Sequence, residues 1–238
     1  MNTMPSTDFD TNPPVPVMEY EHAVTRINMG YEFIFELTHA FLRALGKREL
    51  DLLVVGAGGG AEIERFLPDN PDWRVTGVDP SREMLDLARV KADHLGVADR
   101  VTLIQGSVDD VPVARRFDAA TCLFVLHFLP DDAKLALLRG ITQHLQPGAP
   151  ALSVSGCRVD ELTIGAMRDD LLGAWQQYGE LRGMPAEQMR AIIADIVARQ
   201  AQATTEERYR QLMYEAGFTQ VVPVLSIMHD AICAWIAR

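Results

Sequence analysis

The feature that most constrains this chain is the run Leu52-Leu53-Val54-Val55-Gly56-Ala57-Gly58-Gly59-Gly60-Ala61-Glu62. An apolar strand enters a glycine turn, and Asp79 closes the next apolar stretch, Val75-Thr76-Gly77-Val78. Glycines at 56, 58 and 60 let the backbone approach a ligand where a Cβ would collide. An acid about twenty residues beyond such a turn is placed to accept hydrogen bonds from ribose hydroxyls. Strand, turn, helix, strand and acid, in that order, describe a site for an adenosine moiety at the carboxyl edge of a parallel sheet.

The rest of the chain supplies the elements such a sheet needs. Strands are expected at Leu50–Val55, Arg74–Val78, Val101–Gln105, Phe117–Val125 and Ala151–Ser155, with helices at Ala61–Phe66, Ser81–Leu95 and Asp131–Leu145 between them. That alternation implies a parallel sheet covered on both faces. Upstream, Ile27, Tyr31, Ile34, Phe35, Thr38, Phe41, Leu42 and Leu45 recur at helical spacing, with a break near Met29-Gly30 that splits the region into two helices. Residues 1–17 hold four prolines among small polar residues and read as a flexible arm, which leaves 18–238 as a single domain.

Beyond the fifth strand the rhythm changes. Ile164, Met167, Leu171, Trp175 and Tyr178 form one helical stripe, and Met189, Ile192, Ile193, Ile196 and Val197 form a second. This insertion, at about 161–200, reads either as a cap over the site or as helices completing the core or a dimer contact. Thr204 and Glu207 are spaced as a capping box for the following helix. Val221–Ile227 and Ala231–Ile236 then read as a closing hairpin.

Composition removes several function classes. The 238 residues suffice for one large α/β domain, and the net charge of −11 argues against a nucleic-acid surface. Cys122, Cys157 and Cys233 lie far apart in apolar stretches, giving neither a disulfide framework nor a zinc pattern, and no metal site is expected. No apolar run reaches the roughly 18 residues of a membrane span, and the N-terminus lacks a signal-peptide pattern. A cytoplasmic protein acting on a small molecule, with no membrane partner, is the expectation; a homodimer is compatible with the apolar faces of the added helices.

From residue 50 to about 160 the chain resembles, motif by motif, the class I S-adenosylmethionine (SAM) dependent methyltransferases. The likeness implies an α/β fold of three layers, a doubly wound, Rossmann-like seven-stranded sheet with the last strand antiparallel. It implies SAM as the cofactor, S-adenosylhomocysteine as its product, and methyl transfer to a small-molecule acceptor, one bearing a carboxylate among the candidates. By this resemblance Gly56, Ala57, Gly58 and Gly60 cradle the cofactor, and Asp79 holds the ribose beside Pro80 and Met84. Ser107 and Val108 form the adenine turn, and Cys122 and Leu123 line the strand beneath the methyl. The family's first motif has an acid just before the glycines as a hold on the SAM amino group; Val54 stands there instead. A NAD-binding Rossmann domain is the competitor, but G-x-G-G-G lacks the G-x-G-x-x-G spacing.

A shorter likeness, in Thr25-Arg26-Ile27-Asn28-Met29-Gly30-Tyr31, is to the carboxy-SAM synthases and related small methyltransferases. It implies that Arg26 and Tyr31 face the SAM carboxylate or an acidic acceptor. A SAM-modifying enzyme of that type and a non-catalytic SAM-binding protein are the alternative readings. His127, just beyond the fourth strand, is the candidate for removing a proton, because imidazole titrates in the useful range. His22, Tyr20, Arg158 and Trp175 are the candidates for lining the acceptor pocket.

Overall fold

The computed structural model describes residues 10, 17–158, 165–200, 203–228 and 231–238. Seven strands, β1 (Leu50–Val55), β2 (Trp73–Asp79), β3 (Val101–Gln105), β4 (Ala119–Leu123), β5 (Ala151–Gly156), β6 (Val221–Ile227) and β7 (Ile232–Ala237), form one sheet in the order β3-β2-β1-β4-β5-β7-β6. The first five are mutually parallel, and β7 runs antiparallel to both β5 and β6. Strand order reverses between β1 and β4, and in such sheets the crevice at the carboxyl ends of those strands is where ligands bind.

Alternation along β1 explains why its sequence is continuously apolar. Leu53 and Val55 enter a core with Phe117, Leu138, Tyr209 and Trp235 on one face. Leu52 and Val54 enter another with Ile34, Phe66, Trp73 and Ala88 on the opposite face. Both sides of the strand are covered, so neither register position tolerates a polar residue without a partner. The edge strand β6 carries Pro223, whose missing N–H is tolerated at a sheet edge, and its register shifts between Pro223 and Leu225.

Eight helices complete the described residues: α1 (Val17–Ile27), α2 (Tyr31–Ala44), α3 (Ala61–Phe66), α4 (Arg82–His94), α5 (Asp131–His144), α6 (Arg168–Leu181), α7 (Ala186–Gln200) and α8 (Glu206–Glu215). Gly30, at φ 74°, sits at the start of α2 and makes the expected break from α1. The helices α6 and α7 pack on each other and on α1. Met184, Met189 and Ile193 join Ile27 in a small separate core.

Three details differ from the sequence reading. The N-cap of α8 is Thr205, whose side chain accepts from the Arg208 N–H. Thr204 is instead drawn inward, where its hydroxyl donates to Asp131 and receives the buried Lys134 ammonium at 2.6 Å. Satisfying a buried cation outweighs a cap that a neighbouring threonine can supply. On α6 the packed stripe is Leu172 and Trp175 rather than Met167 and Leu171; Met167 is 62% exposed, and Ile164 lies outside the described residues. Most of the 1–17 arm lies outside them too, but Asp10 is docked. Its carboxylate accepts from the Ser81 hydroxyl and from the Arg82 and Glu83 N–H groups at the start of α4. Negative charge is favoured at that end of a helix.

Candidate active site

The glycine turn leaves β1 at Gly56 and enters α3 at Gly60. At Gly60 (φ 81°) a Cβ would lie 3.1 Å from Ala88 Cα, so glycine is required for α3 to lie this close to α4. At Gly58 (φ 48°) a Cβ would meet nothing nearer than the Gly56 carbonyl at 3.9 Å, which marks the open side of the turn. Asp79, at the end of β2, ties the turn together. Its Oδ2 accepts from the Gly58 N–H and its Oδ1 from the Ser81 N–H, both at 2.9 Å. Each oxygen keeps a further lone pair, so the carboxylate can still accept two hydroxyl donors. Burial raises its pKa, with the Ser81 and Gly58 bonds opposing.

The remaining cofactor candidates gather along the same edge. Ala57 and Met84 are buried beside the turn and Pro80 is exposed after β2. Ser107 caps the short turn Val108–Asp110: its hydroxyl accepts from the Asp109 N–H and donates to Asp110. The Val108 side chain is buried in the core. Cys122 and Leu123 are buried in β4. Burial, with the Glu62 carboxylate nearby, pushes the Cys122 thiol up to about 12, so it is an inert packing group.

Helix α1 lies across this edge. Glu21 bridges Arg65 of α3 and Lys91 of α4, both at 2.8 Å, and so fastens α1 over the two helices that flank the turn. Tyr20 comes close enough to Asp79 for the carboxylate to raise its phenol, already raised by burial, to about 12. Tyr31, at the start of α2, stacks on Phe124 with ring centroids 5.4 Å apart, and burial pushes its pKa up strongly. Arg26 is half-buried near the end of α1 and makes no ion pair among the described residues.

The structure separates the acceptor candidates. His127 lies past β4 and is exposed, its ring 4.2 Å from that of Phe128. Its crowded surroundings, and the Lys134 ammonium secondarily, push the imidazole down to about 4. Its Nδ1 accepts from the Gly156 N–H at 3.4 Å, so the neutral ring carries its proton on Nε2 and presents a donor there. Taking up a proton at Nε2 requires the ring to exchange tautomers and release this long bond. Trp175 donates to the Ile27 carbonyl at 2.8 Å and packs in the small α1–α6–α7 core, so it pins α6 to α1 instead of offering its indole to a ligand. His22 and Arg158 are exposed, the latter with its backbone N–H on the Thr204 carbonyl. Among the described residues no cluster of His, Cys, Asp and Glu could hold a metal ion.

Two site features escaped the sequence reading. Glu62, in the first turn of α3, is 4% exposed, and burial raises its carboxyl to about 7. The signal was available, since Glu62 lies four residues before Phe66 on one helix face and Phe66 is a natural core residue. Phe124 adopts a left-handed conformation (φ 61°) just after β4, where its N–H still bonds the Val154 carbonyl. A phenylalanine gives no warning of that backbone, which is strained and typical of functional edges.

With this geometry in view, the likeness to known proteins is informative. Residues 53–151 match the family model described as a methyltransferase domain. The chain is 33% identical over 105 residues to the ubiquinone biosynthesis O-methyltransferase of Vibrio vulnificus (strain YJ016), covering 43% of this chain and 41% of that one. It is 28% identical over 223 residues to the erythromycin 3''-O-methyltransferase of Saccharopolyspora erythraea, covering 88% of this chain and 67% of the relative. The chain thus spans about two fifths of the length of the first curated relatives it matches. In fold it is similar to the pyocyanin biosynthetic protein PhzM, with a TM-score of 0.62 at 18% identity over 94% of this chain and 58% of that one. Residues 53–151 are thus similar to a methyltransferase domain, and the sheet order, glycine turn and acid closing β2 are in keeping with that likeness.

Proposed function

We propose that this protein binds SAM across the carboxyl ends of β1, β2 and β4 and methylates a small-molecule acceptor, at oxygen. The observation that carries the reading is Asp79, whose two oxygens each hold one backbone N–H of the glycine turn and its neighbour while retaining lone pairs toward the crevice. The open side of Gly58 supports it, because any side chain there would enter the same space. The choice of oxygen rests on the two relatives, both O-methyltransferases.

When bound, SAM supplies an electrophilic methyl on a sulfonium, and S-adenosylhomocysteine leaves. The protein's part is alignment, exclusion of water and management of one proton. Asp79 accepts from the ribose hydroxyls, and the backbone at Ser107 and Val108 meets the adenine. Arg26, with no ion pair among the described residues, carries a guanidinium suited to a carboxylate, whether of the cofactor or of a carboxylate-bearing acceptor. His127 stands neutral at physiological pH and either orients the acceptor hydroxyl through Nε2 or, after tautomer exchange, takes its proton.

Calorimetric titration with S-adenosylhomocysteine tests the site. Wild type binds, and Asp79→Ala weakens binding about 100-fold or more, because charge-assisted hydrogen bonds are lost. Binding unaffected by the substitution would overturn the site. Incubation with SAM and a panel of phenolic, sugar and carboxylate acceptors, read by mass spectrometry for a singly methylated product, then identifies the acceptor class.

A further inference from the structure

The acid absent at Val54 has a counterpart across the glycine turn, at Glu62 in the first turn of α3. In the β1–β4 register, Val54 is paired with Thr121. Thr121 Oγ1 donates to Glu62 Oε1 at 3.4 Å. The buried Glu62 carboxyl therefore sits over the same pair of strand residues from which an acid at position 54 would project. It arrives from α3 rather than from β1. We infer that Glu62 receives the α-ammonium of the cofactor in place of the acid missing at position 54, and that cofactor binding is thereby linked to release of a proton.

The surroundings of Glu62 leave that role open to it. It makes no ion pair among the described residues. On its own helix, Arg65 is committed to Glu21 and Glu32, each at 2.8 Å. From α4, Lys91 is committed to Glu21 and Glu64. The groups that face Glu62 from the other packed elements are Glu21 on α1, Tyr31 on α2, and Thr121 and Cys122 on β4. None of these is a cation. A buried carboxyl without a positive partner costs the folded state free energy, and such sites are enriched where a ligand completes them. Burial first, and the Glu21 charge in addition, raise it to about 7, so that it keeps its proton on part of the molecules near neutrality, while its own N–H, Arg65 and Thr121 oppose. An arriving ammonium offers three donors to a carboxylate, so the bound state favours Glu62 as the anion and its proton passes to solvent.

This inference rests on the proposed SAM site, and the test separates the two. The probes are S-adenosylhomocysteine, which carries the ammonium, and 5′-methylthioadenosine, which lacks the amino-acid moiety. Titrations at pH 6.5 in buffers of different ionisation enthalpy report protons released. Wild type is expected to release a fraction of a proton with the first ligand and none with the second. Glu62→Gln should abolish that release and weaken S-adenosylhomocysteine about tenfold or more, leaving 5′-methylthioadenosine unchanged. Absence of differential proton release by wild type overturns the assignment, and this measurement needs no variant. A variant that retains S-adenosylhomocysteine affinity, or loses both ligands equally, overturns it as well. Wild type that binds neither ligand overturns the proposed function and this inference together.

Discussion

The β1–α3–β2 unit and the α6–α7 pair sit at opposite extremes of the molecule. In the first, Leu52, Leu53 and Phe66 are fully buried, strands cover one another on both sides, and backbone hydrogen bonds fix the glycine turn to Asp79. In the second, four buried residues, Ile27, Met184, Met189 and Ile193, hold two helices to α1, while Leu181 is 87% exposed. The contrast divides the labour. Cofactor atoms are the same in every turnover and reward a rigid hold. The α6–α7 pair is held by a few apolar contacts and one indole hydrogen bond, the kind of light packing that opens locally before the main core does.

Breaking each core measures the contrast directly. Leu53→Ala should cost about 3–5 kcal/mol of stability, whereas Met189→Ala should cost about 2 kcal/mol and leave S-adenosylhomocysteine affinity unchanged. Chemical denaturation and titration of both variants check this; equal losses, or a cofactor defect in Met189→Ala, would erase the distinction.

The cofactor side should also carry a stability defect of its own. Burial raises the Glu62 carboxyl from 4.5 to about 7, above its unfolded value. A raised folded pKa gives stability that is present below 4.5 and lost as pH rises through about 7. At pH 8 the ligand-free protein should therefore be stabilised by Glu62→Gln, by up to about 3 kcal/mol, with little change at pH 4.5. Thermal melts at the two pH values decide it. A variant less stable than wild type at pH 8 would mean that Glu62 is a structural anion.

The smallest effect belongs to the tether between the two regions. Trp175→Phe removes the bond to the Ile27 carbonyl and should lower stability by about 1 kcal/mol. Hydrogen exchange should quicken in α6 and α7 but not in β1 or β2. Protection lost equally in both would show that the helical pair is part of the main core.

Local chemistry wrote most of the cofactor side into the sequence. The apolar run at 50–55 and the glycines at 56, 58 and 60 act through neighbours within a few residues, as does the acid closing β2, so their meaning survives reading in one dimension. The break at Gly30 and the closing hairpin were legible for the same reason. Contacts made across the fold were not. Thr204 abandoned its cap because Lys134, seventy residues away, needed a buried partner. Trp175 became a tether because α1 lay beneath it. Glu62 was passed over because its meaning depends on Thr121 and on the register that pairs Thr121 with Val54. The chain alone determined the strand, the glycine turn and the acid on which the proposed adenosyl site is built. Tertiary packing decided which buried charge is left without a partner, because desolvation is set by everything that surrounds a group and not by its neighbours in sequence.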